Sequence, residues 1–144
     1  MAIAKYSLPS IDCPDPVALA YFYSQLTGFE MEPLGDLKPE DVKWYELLRG
    51  GVGVIAFQRI PNYLPPTWPD GPVPQQMHLD FEVADLDEAE VLVIALGAKK
   101  AEFQSSEKFR VYLDLIGHPF CLVHNPNLKK FDDPLTTEIT TSRI

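Results

Sequence analysis

The sequence predicts an α+β fold of two tandem βαβββ modules, one helix in each, whose strands together make a cupped, mixed sheet. Three observations predict it. The chain has 144 residues, 46% of them hydrophobic, which suits a single domain of about 1–144 built from two repeats with a shared core. Two amphipathic helical stripes, each opened by an aspartate and closed by a glycine, lie on either side of a proline-rich break. The same succession of short extended stretches flanks both stripes. A ferredoxin-like single sheet with extra strands is the alternative architecture.

The first module spans about residues 5–60. Tyr6 to Asp12 reads as its first strand. Leu19, Phe22, Tyr23 and Leu26 then recur at i, i+3, i+4 and i+7, the apolar stripe of a helix. Asp15 suits its N-cap, Pro16 its first turn and Gly28 its C-terminal end. Phe29 to Pro33 is a brief second strand. Lys43 to Leu48 and Val52 to Gln58 form a hairpin across Gly50 and Gly51, a favoured tight-turn dipeptide.

Six of the fourteen prolines fall between Pro61 and Pro74, and proline lacks the N–H that helix and sheet ladders need. Residues 61–75 therefore read as a linker, either a stiff lid carrying Tyr63 and Trp68 or a strap across the surface. The second module, about residues 76–124, repeats the first. Met77 to Ala84 is extended, and Ala89, Leu92, Val93 and Leu96 make a helical stripe. Asp85 caps that helix, with Glu88 placed for a capping box and Gly97 at its end. Lys99 to Phe103 is a short strand, and Phe109 to Leu113 pairs with Pro119 to Val123 across Ile116, Gly117 and His118. Residues 125–144 show no period and read as a tail packing on the body or on a partner.

Charge and motifs exclude several functions. Twelve Lys and Arg face twenty-one Asp and Glu, a net charge of -9, and no basic stretch exists to neutralise phosphates, so a nucleic-acid partner is not expected. The longest apolar runs fall far short of the roughly 20 residues of a membrane span. With no secretory leader in the first residues and only Cys13 and Cys121 as thiols, a cytoplasmic protein is expected. No phosphate-binding glycine loop, C-x-x-C pair, H-E-x-x-H or nucleophile elbow is present.

Asp15 to Phe29 (DPVALAYFYSQLTGF), His78 to Val83 (HLDFEV), Asp85 to Ala89 (DLDEA), Ala95 to Ala98 (ALGA) and Asp114 to Val123 (DLIGHPFCLV) carry a resemblance. In that order and spacing, over residues 5–124, the chain resembles the vicinal oxygen chelate superfamily of glyoxalase I, bleomycin resistance proteins and extradiol dioxygenases, and within it the glyoxalase-like domain group. Metal-dependent members draw two ligands from each half. The resemblance puts those positions near Leu8, near Ala56, on His78 and at or beside Cys121. Leucine and alanine donate no lone pair, so the resemblance implies an incomplete metal site with His78 its one retained ligand-type residue. No cofactor is expected, a divalent metal being the lesser alternative. Kinship also implies a homodimer.

The residues themselves narrow the site. Alternation sets Leu79, Phe81 and Val83 on one face of their strand and His78, Asp80 and Glu82 on the other. His78 lines a ligand cavity on this reading, with Asp80 beside it, or else sits hydrogen-bonded on an exposed polar face. Cys121 shares the inward face with Pro119 and Val123, as a small hydrophobe or a soft ligand. Trp44, Ala56 and Gln58 of the first hairpin provide walls and one neutral hydrogen-bonding group, and Arg110 could grip a carboxylate. Two functions follow. One is a small-molecule-binding protein that sequesters an apolar or aromatic compound. The other is a lyase, isomerase or dioxygenase of the same superfamily, with His78 as base, aided by Asp80, or as metal ligand.

Overall fold

The computed structural model describes residues 1–128. Its elements follow the order β1 (Ser10–Cys13), α1 (Pro16–Thr27), β2 (Glu30–Met31), β3 (Trp44–Arg49), β4 (Val52–Arg59), then β5 (Leu79–Val83), α2 (Leu86–Ala95), β6 (Lys99–Lys100), β7 (Phe109–Leu113) and β8 (Pro119–His124). Among the described residues there are two four-stranded sheets, ordered β1-β4-β3-β2 and β5-β8-β7-β6, so each is one βαβββ module. The chain divides into two compact units that part between Tyr63 and Leu64. Most of the proline-rich segment thus belongs to the second unit. Of the tail expected over 125–144, residues 129–144 lie outside the described residues.

In each sheet the first strand runs parallel to the last, and the two remaining pairings are antiparallel. The helix between the first and second strands therefore covers one face only. In the first module α1 begins where the Asp15 carboxylate accepts the Ala18 N–H, and it ends where the Gly28 N–H closes on the Ser24 carbonyl at 2.8 Å. Leu19, Ala20, Phe22 and Tyr23 point inward. The Tyr23 ring stacks on Phe57 at 5.8 Å, an aromatic contact that adds about 1 kcal/mol to the burial itself. Ile11, Tyr45, Leu47, Ile55 and Phe57 complete this core.

Gly50 and Gly51 both have positive φ, 55° and 78°, the turn that a two-residue hairpin with right-handed strand twist demands. Arg59, at the end of β4, ties the module's margin together. Its Nε donates to the Val42 carbonyl at 2.9 Å and its terminal nitrogens to the carbonyls of Pro39 and Pro14.

The strands are shorter than the sequence patterns suggest. β1 starts at Ser10 rather than Tyr6, and β2 and β6 are two residues each. Past Lys100 the Ala101 N–H still donates to the Val111 carbonyl at 3.0 Å, and beyond it the Gln104 side chain takes over from sheet pairing. It donates to the carbonyls of Ala101 and Val111 and accepts the Val111 N–H at 2.9 Å.

In the second module the Asp85 carboxylate caps α2 through the N–H groups of Asp87 and Glu88. The buried stripe of α2 differs from the expected one. Val93 is its buried residue, whereas Leu92 is 66% exposed. The sheet beneath presents the polar ends of Tyr112 and Arg110, so Glu90 occupies the inward position one turn before Val93. That turns Val91, Leu92 and Ile94 outward.

Cys13, the last residue of β1, lies fully buried. Burial pushes its thiol up to about 12, despite the lowering effect of Arg59. An unfolded Cys13 ionises from pH 9 upward while the folded one keeps its proton, so stability is lost as pH rises through that window. Urea melts of wild type and Cys13→Ala at pH 8 to 10.5 should show the wild type losing about 1.4 kcal/mol more per pH unit above pH 9. Parallel pH profiles for the two proteins would contradict a neutral, buried thiol.

Candidate functional site

The face of each sheet opposite its helix carries the candidate residues, Arg110 excepted. In the first module Phe57 lies under Tyr23, so alternation sends Ala56 and Gln58 to the open face. Cross-strand register puts Trp44 opposite Gln58, Glu46 opposite Ala56, and Ser10 of β1 beside Ala56. Gln58 is exposed and Trp44 about half exposed, while Ala56 is fully buried.

Ala56, expected among the walls, adjoins a carboxylate that was not expected there. Glu46 accepts the Trp44 indole N–H at 2.9 Å. A Cβ on Gly53 would stand 2.0 Å from Glu46 Oε1, so a larger residue there would push the carboxylate from this place. Alternation along β3 from Trp44 is the signal that could have found it.

In the second module Phe81 packs against Phe120, and Tyr112 stacks on Phe120, marking the helix face. The open face then holds His78 and Asp80 from β5 and its approach, with Cys121 directly across from Asp80 in the parallel β5-β8 pairing. His78 Nε2 stands 3.2 Å from Asp80 Oδ1. One donor atom from each of His78, Asp80 and Cys121 lies within 4.8 Å of the others. His78 and Asp80 are exposed at the rim and Cys121 is buried at the base. Glu82, on the same face, instead accepts the Asn125 side-chain amide at 2.8 Å.

Cys121 is not a nucleophile in this setting. Burial, and then the charge and hydrogen bond of Asp80, push the thiol up to about 11. The S–H therefore stays on and donates to the Asp80 carboxylate at neutral pH.

Beside this polar rim the face is apolar. Ala101, Val111 and Cys121 form a buried cluster against which Trp68, Phe109 and Val123 pack. Trp68 reaches it from the proline-rich segment, whose residues 67–73 close on themselves. The Thr67 N–H donates to the Val73 carbonyl at 2.7 Å, and the Val73 N–H to the Thr67 hydroxyl at 2.9 Å. The indole also meets Phe103, ring centres 5.8 Å apart.

Arg110 takes a different place from the one expected. It lies on the helix face of β7, where its guanidinium reaches Glu90 at 2.9 Å, Asp87 at 2.6 Å and the Leu86 carbonyl at 3.3 Å. Strand alternation carries it away from Val111, and its donors are taken up by α2. Glu90 also accepts the Tyr112 hydroxyl at 2.8 Å and pairs with Lys100 at 3.0 Å. Burial alone would raise Glu90; the hydrogen bonds of Tyr112, Lys100 and Arg110 outweigh it and hold the carboxyl below its ordinary value. Burial and Glu90 push the Tyr112 phenol up in return.

The family model for the glyoxalase-like domain matches residues 10–123. The chain belongs to the glyoxalase-like domain family. Solved structures of the vicinal oxygen chelate superfamily share its fold, as the sequence resemblance implied. A glyoxalase/bleomycin resistance protein/dioxygenase family enzyme from Burkholderia phytofirmans PsJN is similar with a TM-score of 0.57 at 20% identity, over 82% of this chain and 96% of that one. The fosfomycin resistance protein FosX from Listeria monocytogenes is similar with a TM-score of 0.60 at 16% identity, over 86% and 95%. A point mutant of that FosX, solved with Mn(II) and 1S,2S-dihydroxypropylphosphonic acid, gives the same TM-score and identity over 86% and 94%. No curated protein matches the chain.

Of the four chelating positions that the resemblance implies, only those at His78 and Cys121 carry a donor atom. Leu8 has no lone pair, and Ala56, at the register position equivalent to Cys121, is a buried methyl group. Among the described residues the cluster that offers three donors lies wholly in the second module.

Because Arg110 serves the helix-to-sheet joint, Arg110→Ala should lower stability by about 2 kcal/mol, the scale of lost charge-assisted hydrogen bonds. Chemical denaturation measures it. A variant as stable as wild type would restore Arg110 as a ligand contact.

Proposed function

We propose that this glyoxalase-like protein binds an apolar or aromatic small molecule on the open face of its second sheet. The observation that carries the reading is the patch of Ala101, Val111 and Cys121 flanked by Phe109, Val123 and Trp68, with His78 and Asp80 at its edge. An apolar surface with a few convergent polar groups is the usual composition of a small-molecule site. Trp68 offers a flat ring for an aromatic ligand and covers the patch when no ligand is there. Neutral, buried Cys121 contributes surface rather than reactivity. The chelate implied by the family is incomplete, and apolar contact of this kind requires no ion.

A second reading is favoured by the His78–Asp80 pair. A carboxylate 3.2 Å from an imidazole orients it as a general base, so a lyase or isomerase would use His78 to take a proton from a carbon beside a carbonyl. The FosX mutant solved with Mn(II) and 1S,2S-dihydroxypropylphosphonic acid makes a small polar compound the candidate ligand on this second reading.

A cytoplasmic setting is proposed on the two free thiols, Cys13 and Cys121. No helix among the described residues is long and apolar enough to cross a membrane. Pairing with a second copy is proposed on the outward Val91, Leu92 and Ile94 of α2, an apolar ridge that water does not favour.

Binding is tested with 1-anilinonaphthalene-8-sulfonate as probe. Its fluorescence should rise on wild-type protein in the presence of EDTA, and Phe109→Glu should weaken binding at least about tenfold, the effect of a carboxylate set into an apolar site. Equal binding by that variant, folded by circular dichroism, would defeat the assignment; a carbonyl compound turned over by wild type but not by His78→Ala would favour the second reading instead. For the pairing, light scattering should report twice the chain mass for wild type and a single chain for Leu92→Glu. A monomeric wild type removes the dimer.

A further inference from the structure

We propose that the ligand of the second sheet's open face is an aromatic ammonium, its ring body on the apolar patch and its cationic nitrogen on Asp80. The inference rests on the small-molecule reading above and names the class of compound that the face selects.

The length of the ligand follows from one row of the sheet. Register sets Asp80 of β5 beside Cys121 of β8, and Cys121 opposite Val111 of β7. Ala101 continues the row, its N–H donating to the Val111 carbonyl at 3.0 Å. Crossing the strands in turn, a ligand meets a carboxylate and then three apolar residues. Strands lie about 4.8 Å apart, so the run from Cys121 to Ala101 is about 10 Å long, the span of two fused rings, and the carboxylate stands one strand further on. Phe109, Val123 and Trp68 border the run, and Phe103 meets the Trp68 indole. The negative faces of aromatic rings add to the attraction for a cation.

The charges around the run set the sign. The Asp80 side chain is 58% exposed, so a solute reaches it, and His78 Nε2 engages its Oδ1. The Cys121 thiol is a weak donor, so the carboxylate keeps lone pairs for a stronger one. Glu82, next along the same face of β5, repeats the negative sign. A primary ammonium brings three N–H donors and the opposite charge. Lys99 also faces this side, opposite Leu113 and on the far strand β6. It stands outside the row on a long, hydrated stem, whereas Asp80 is short and held by His78, and the held group loses less freedom on binding.

Isothermal titration of the full-length protein at pH 7 with 2-naphthylmethylamine, protonated there, and its neutral isostere 2-naphthalenemethanol reads the preference. The amine should bind about fivefold more tightly, the upper end for an exposed ion pair. Asp80→Asn should abolish the preference and leave the affinity for the alcohol unchanged. The same variant should bind 1-anilinonaphthalene-8-sulfonate more tightly than wild type does, because it no longer opposes an anion. A rise and a fall from one substitution is a signature that no folding defect produces. Glu88→Gln, which removes one charge from the start of α2 on the helix side, should keep the preference. Equal affinity of wild type for amine and alcohol, or a preference that survives Asp80→Asn or falls equally in Glu88→Gln, would overturn the inference while the small-molecule reading stands. Failure of all three probes to bind wild type would remove that reading, and this one with it.

Discussion

Parallel pairing of the first strand of each module with its last is the constraint from which the rest follows. A parallel connection needs a crossover, and in each module the crossover is a helix lying on one face of four strands. The same pairing fixes a register: Ser10 beside Ala56 in one module, Asp80 beside Cys121 in the other. A slip of one residue would bury Asp80 under α2 and turn Phe81 outward. The burial of Phe81, Phe120 and Tyr112 on the helix side therefore holds the polar cluster on the open side.

The two modules have diverged at their equivalent points. The first holds Ala56 with Glu46 next to it, the carboxylate steadied by Trp44 and seated over Gly53. The second holds Cys121 with Asp80 and His78. The helix sides differ as well: α1 rests on aromatic stacking, whereas α2 meets its sheet through the Glu90, Arg110, Tyr112 and Lys100 network. A partly buried network of this kind is costly to break one member at a time, since each loss leaves a charge without its partner.

The architecture was largely legible in the sequence, because caps and periods are local. Asp15, Asp85, Gly28 and the Gly50–Gly51 turn each act within a few residues, and all four stand where the patterns put them. Strand lengths were less legible, since pairing is decided by a distant partner and the Gln104 side chain ends one ladder early. His78, Asp80 and Cys121 were visible as members of one face through alternation. The place of Arg110 was not legible because its neighbour across β7-β8 and its partners on α2 are remote in sequence, and the outward turn of Leu92 has the same origin in Glu90. Glu46 is readable by alternation along β3 from Trp44, but the residues around it are walls and carry no charge to mark it.

The ring-closed loop from Thr67 to Val73 keeps an indole pressed on the second sheet at rest. Under the proposed binding, a ligand reaching Val111 must first lift it. Observed affinity then equals intrinsic affinity multiplied by the fraction of molecules standing ajar, and loosening that latch tightens capture without a single new contact.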